Sequence, residues 1–171
     1  YDASFNRFIV ETPEAFVAAV VLSACVLCPL MAYRHLHPVN LLLLHVFTLF
    51  EAYVVSFCCV AYVSAGASDI VVYALGTTFG VFGALSTYVH FSRVDLTFLA
   101  TFVVAGVAAL VMLFFVQLFA PTLALHATIA ALGVLVFCGS ILYDTSQMVH
   151  RLSVDDSVAA VVQLYLDVIN L

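Results

Sequence analysis

From the amino end, the chain alternates long apolar runs with short polar links, and the runs have the length of membrane-crossing helices. Thr12-Pro13-Glu14 reads as a helix start, because proline suits the first helical position. The charge-free run Ala15–Tyr33 follows, with Pro29 expected to kink its last turns, and Arg34-His35-Leu36-His37-Pro38 ends it. A second helix is predicted over Val39–Ser64, carrying His45 and Glu51. After the turn Ser64–Asp69, a third covers Ile70–Val89 and contains Gly76-x-x-x-Gly80, a spacing that lets backbones approach closely and is read here as packing alone. A fourth span, Leu96–Ala120, and a fifth, Thr122–Tyr143, are separated by Pro121. The last run, Val158–Leu171, is short for a crossing at 1.5 Å per residue, so it is either a re-entrant segment or part of a longer span. Without an internal repeat or a low-complexity linker, residues 1–171 read as a single all-α domain, a polytopic membrane helical bundle.

Composition turns that pattern into a solvent assignment. Hydrophobic residues make up 66% of the chain and charged residues 8%, far from soluble-domain usage, so this is an integral membrane protein whose first partner is the lipid bilayer. It has no lysine, and its net charge of -6 excludes a nucleic-acid footprint and a polybasic lipid-binding surface. Arg34, Arg93 and Arg151 fall in the links after the first, third and fifth helices, on one face if each helix crosses once. Short arginine-bearing links collect on the cytosolic side, which leaves Arg7 alone opposite. Tyr1 follows no leader and Leu171 stops within an apolar pattern, so the chain is expected to be a fragment of a longer one. Cys25, Cys28, Cys58, Cys59 and Cys138 all lie in apolar runs, where cysteine acts as a small hydrophobe.

The chemistry concentrates in the last third. Asp144 and Asp167 sit in apolar surroundings, and their midpoint falls in the polar link Ser153-Val154-Asp155-Asp156-Ser157. In an antiparallel hairpin with helix ends near Leu152 and Ser157, each acid lies roughly 12 to 15 Å from the turn, so the two come level and can touch. Glu51, roughly 18 Å in from Val39, has a similar depth. Ionisable groups within a membrane usually face the bundle interior, find a partner and mark an ion or proton path. The plainer reading is that Asp144 ends its helix at the interface and Asp167 pairs elsewhere.

Paired acids also raise intramembrane aspartyl proteolysis, in which one carboxylate activates water and the other donates a proton. Tyr143-Asp144 is superficially similar to one motif of that chemistry. The Gly-x-Gly-Asp partner is absent, since Leu164-Tyr165-Leu166 places large side chains where a substrate backbone would approach. His35, His37, His45, His90, His126 and His150 show no metal-ligand spacing, and no phosphate loop, nucleophile elbow or dinucleotide fingerprint occurs.

Two stretches together, Ile141-Leu142-Tyr143-Asp144-Thr145-Ser146-Gln147 and Leu164-Tyr165-Leu166-Asp167-Val168-Ile169-Asn170-Leu171, resemble the signature of the transmembrane BAX inhibitor motif family. Pro38-x-Asn40, Phe47-Thr48-Leu49-Phe50-Glu51-Ala52-Tyr53 and Ser92-Arg93-Val94-Asp95-Leu96-Thr97 are similar, in the same order, to stretches of its lifeguard and Golgi anti-apoptotic branch. The resemblance implies a seven-helix fold of which six helices are present here, the first helix and the C-terminal tail being absent. It implies further that Asp144 and Asp167 form a proton-sensitive pair gating a calcium leak, with Glu51 on the ion path. Asp155-Asp156-Ser157 departs from the family's usual Glu-Tyr in the link.

The reading is therefore a pH-sensitive calcium leak channel of intracellular membranes, endoplasmic reticulum or Golgi rather than plasma membrane, that modulates calcium homeostasis and inhibits apoptosis. It is not read as an enzyme. No cofactor is expected, calcium being the transported ion, held in passing at Asp144 and Asp167; apoptosis regulators or calcium channels are the expected protein partners. The competing classes are a non-conducting membrane interaction protein, an intramembrane aspartyl protease and a proton-coupled transporter. Two carboxylates sharing a site cannot both ionise cheaply, so the pair should titrate as one coupled unit.

Overall fold

A computed structural model describes residues 12–92, 94–151 and 156–171. Arg7, Arg93 and most of the link about which the two acids are symmetric, Asp155 included, lie outside the described residues. Six helices follow one another: α1 Pro13–Ala32, α2 Val39–Ser64, α3 Ser68–Ser92, α4 Leu99–Phe119, α5 Leu123–His150 and α6 Ser157–Asn170. Among the described residues there is no strand, and α1 to α5 are each long and apolar enough to cross a membrane. α6, of 14 residues, is shorter than a crossing.

Local chemistry sets the boundaries. Pro13 opens α1, whose helix runs on through Pro29 to Ala32. Asn40 then pins the start of α2: its Nδ2 donates to the Arg34 carbonyl at 2.8 Å, and its Oδ1 accepts from the Leu41 N–H at 2.8 Å. α2 ends in a Schellman motif, with the Ala67 N–H bonded to the Tyr62 carbonyl and the Gly66 N–H to that of Val63, both at 3.0 Å. Gly66 closes it at φ +80°, a left-handed conformation that a side chain would disfavour. Thr122 caps α5, its hydroxyl accepting from the Leu125 N–H at 3.1 Å. The helix runs beyond the apolar span Thr122–Tyr143 to His150, close to the end near Leu152 expected for the hairpin, because Asp144, Thr145 and Ser146 are buried against neighbours and nothing from there to His150 is a helix breaker.

The helices fall into two compact units, Tyr1–Gly76 and Thr77–Leu171. In the first, α1 packs on α2, with the rings of Phe16 and Phe57 stacked at 4.4 Å. In the second, α5 is the central element, packed on α4 on one side and on α6 on the other. The α4–α5 seam is close because of two glycines. A Cβ at Gly106 would stand 2.4 Å from Val136 Cγ2, and one at Gly139 would stand 3.2 Å from the Phe102 ring. The Gly76-x-x-x-Gly80 spacing, read as packing, meets nothing within 4 Å at either Cβ position. The close approach belongs to glycines on α4 and α5 that face each other's large side chains.

Candidate functional site

Burial in the second unit mixes polar and small groups with a few aliphatic ones and leaves many large apolar side chains outside. Along α5 the buried residues are Val136, Gly139, Ser140, Ile141, Asp144, Thr145 and Ser146, whereas large side chains such as Leu135 and Val149 are exposed. α6 buries Val158, Ala159, Ala160, Val162 and Asp167. Lipid tails are as apolar as leucine, so a membrane bundle gains nothing by hiding leucine and gains by hiding small and polar groups.

Asp144 and Asp167 are 9% and 7% exposed, and their carboxyl groups lie within hydrogen-bonding reach of each other. The hairpin symmetry predicted this contact, and the packing of α6 on α5 produces it. Two ionised carboxylates offer only lone pairs, so a bond between them requires that one carry a proton. Asp167 Oδ2 is buried and accepts no bond from any conventional donor among the described residues. The neighbouring Thr145 hydroxyl is likewise buried without a partner. The pair thus stands in poorly solvated surroundings, where a proton shared between the two carboxyls would be the main means of satisfaction.

Glu51 lies midway along α2 in the first unit and is half-buried. No group of three or more His, Cys, Asp or Glu residues that could hold a metal occurs among the described residues. Two carboxylates fall short of the six to eight oxygens that a resident Ca²⁺ takes.

A second polar cluster, whose members the sequence reading did not connect, joins the loop before α4 to the end of α5. The Ser146 hydroxyl accepts from the buried Leu96 N–H at 3.0 Å and donates to the Val94 carbonyl at 3.5 Å. Gln147 Nε2 donates to the Thr97 hydroxyl at 3.4 Å, and the Arg151 guanidinium pairs with Asp95 at 2.9 Å. Asp95 also accepts from the Thr97 hydroxyl and N–H. The Thr97 hydroxyl foremost, then Arg151, hold the Asp95 carboxyl down from 3.8 to about 2. These partners stand some fifty residues apart in sequence, so no local periodicity could reveal them.

The comparisons with known proteins agree with this architecture. The model of the family described as "Inhibitor of apoptosis-promoting Bax1" matches residues 3–171. The chain belongs to that family. It is 36% identical over 171 residues to Protein lifeguard 4 of Mus musculus, covering all of this chain and 70% of that one. It is 34% identical over 171 residues to the Golgi anti-apoptotic protein of Vaccinia virus (strain Lister), again covering all of this chain and 70% of that one. With Protein LIFEGUARD 1 of Arabidopsis thaliana it shares 33% over 173 residues, 96% of this chain and 72% of the relative. This BAX inhibitor family member is an integral membrane protein built as a polytopic helical bundle.

Proposed function

We propose that this protein is a pH-sensitive calcium leak of an intracellular membrane and that it restrains apoptosis. The observation that carries the reading is the buried pair Asp144–Asp167, close enough to share a proton, which joins the central helix of its unit to the short helix α6. With one shared proton the pair ties α5 to α6. Without it two like charges repel in a poorly solvated place, and with two protons the bond loses its ionic character. The tie is strongest at intermediate occupancy, which makes the α5–α6 contact a proton-controlled element. A weak, partial oxygen site also matches what conduction requires, since an ion must enter and still leave.

Membership of a family with lifeguard and Golgi anti-apoptotic relatives supports the apoptotic role, and the viral relative's name favours the Golgi. The pair acts as a gate and carries no catalytic step, in keeping with the bulky Leu164-Tyr165-Leu166 beside Asp167. The test is calcium flux from liposomes holding the purified protein, measured across about pH 5 to 8, the window for a coupled buried pair. Asp144→Asn with Asp167→Asn should flatten the profile. An unchanged profile in the double variant removes the pair as the sensor, and no flux from the intact protein favours a non-conducting interaction protein.

A further inference from the structure

The Ser146 cluster and the acid pair share two turns of one helix, which has a consequence beyond either contact. At about 100° per residue, Ser146 points roughly 200° around α5 from Asp144 and stands about 3 Å further along the axis. One face of these turns presents Asp144 to α6, and the nearly opposite face presents Ser146 to the loop of Val94, Asp95, Leu96 and Thr97. Both side chains are buried, Ser146 at 1% exposure. A rotation of α5 that parts Asp144 from Asp167 therefore pulls the Ser146 hydroxyl off the Leu96 N–H. That amide, in a buried residue, has no other acceptor among the described residues.

We propose that this loop is a latch on the end of α5, closed by Ser146, Gln147 and Arg151, and that these positioning residues set the rotation at which Asp144 meets Asp167. It stands on the side that Arg34 and Arg151 assign to the cytosol, so a cytosolic factor that opens the Asp95–Arg151 pair would reach the buried acids without touching them. The pair is the accessible part of the latch, its side chains 51% and 50% exposed, and Ser146 is the inaccessible part. His150 closes α5 beside Arg151, and Asp156 immediately precedes α6.

The experiment uses the intact protein in lipid nanodiscs and two readouts that do not require ion flux. Amide hydrogen exchange reads the latch, and the infrared carbonyl band of protonated carboxyl groups, assigned by its loss in Asp144→Asn, reads the acids. Arg151→Gln should speed exchange at Leu96 by about two- to fivefold, the range of an exposed ion pair. Ser146→Ala should speed it by about tenfold or more, because a buried donor loses its acceptor. Both should shift the pH midpoint of the carboxyl band, and Arg151→Lys, which keeps the charge opposite Asp95, should leave both readouts near the parent's. Faster exchange with an unmoved carboxyl midpoint overturns the coupling, and exchange at Leu96 unchanged in Ser146→Ala overturns the latch. The inference rests on the proposed gate only for its biological meaning: if no calcium leak is found, the infrared shift still decides it.

Discussion

Gly106→Ala is the most direct test of how the acid-bearing helix is held. The added Cβ would stand 2.4 Å from Val136 Cγ2 and 3.3 Å from Cγ1, where ordinary carbon contacts begin near 3.5 Å. Val136 is fully buried on α5, and a β-branched side chain in a helix has one strongly preferred rotamer, so its methyl groups cannot simply swing away. Separating α4 from α5 by an ångström, or forcing Val136 off its rotamer, costs about 1 to 3 kcal/mol, as overpacking does elsewhere. At a 2.4 Å approach the upper end of that range applies, and the better helix propensity of alanine returns up to about 1 kcal/mol, leaving a net loss of about 2 kcal/mol. Reversible unfolding in mixed detergent micelles would measure it. Val136→Ala in the same chain removes both clashing methyl groups and should recover most of the loss, while Gly133→Ala, which meets nothing within 4 Å, should be neutral or slightly stabilising. If Gly106→Ala is as stable as the parent, or Val136→Ala fails to rescue it, the close α4–α5 seam is wrong.

Two further outcomes test orientation and the latch's electrostatics. Cysteines placed in the links after α1 and α5, beside Arg34 and Arg151, should react with impermeant maleimide from the cytosolic face of sealed vesicles, and a cysteine at Gly66 should not; the reverse pattern inverts the topology. The Asp95 carboxyl, held down from 3.8 to about 2, contributes fully above its unfolded value near 3.9 and loses that contribution as pH falls through about 2. Exchange at Leu96 in Asp95→Asn should therefore exceed the parent's at neutral pH and converge with it in acid, and an Asp95 midpoint near 3.9 by carbon NMR would refute the pairing.

The helices were legible because bilayer-length apolar runs broken by Pro38, Gly66 and Pro121 admit few other readings. α2 falls on its expected bounds, and α1, α3, α4 and α6 lie within three residues of theirs at each end. The acid contact was legible too, since two carboxylates equidistant from a short link must come level in a hairpin. The close glycines were not. A Gly-x-x-x-Gly pattern is a property of one helix, whereas the tight seam needs Gly106 opposite Val136 and Gly139 opposite Phe102, a register between two helices that sequence spacing does not encode. The Ser146 contacts were hidden for the same reason: Asp95 and Ser146 each fall in a motif that the family resemblance singled out, but their meeting depends on where the loop before α4 lands on α5.

The buried polar groups of the second unit locate function better than its apolar ones do. A leucine facing lipid or a leucine facing a helix costs about the same, so apolar burial here carries little information. Buried Asp144, Thr145, Ser146 and Asp167 each carry a desolvation cost that lipid cannot repay; the first three lie in the last two turns of α5 and Asp167 in the last turn of α6. Ser146 is satisfied by the loop, the two acids by each other, and Thr145 Oγ1 and Asp167 Oδ2 by no conventional donor among the described residues. A structure optimised for rigidity would have filled those last two positions with alanine or valine. Under the proposed gate, leaving them polar would keep α5 and α6 within a proton's reach of separating. A gate built from α5 and α6 would need that contact to be sound while one proton is shared and weak when the occupancy changes.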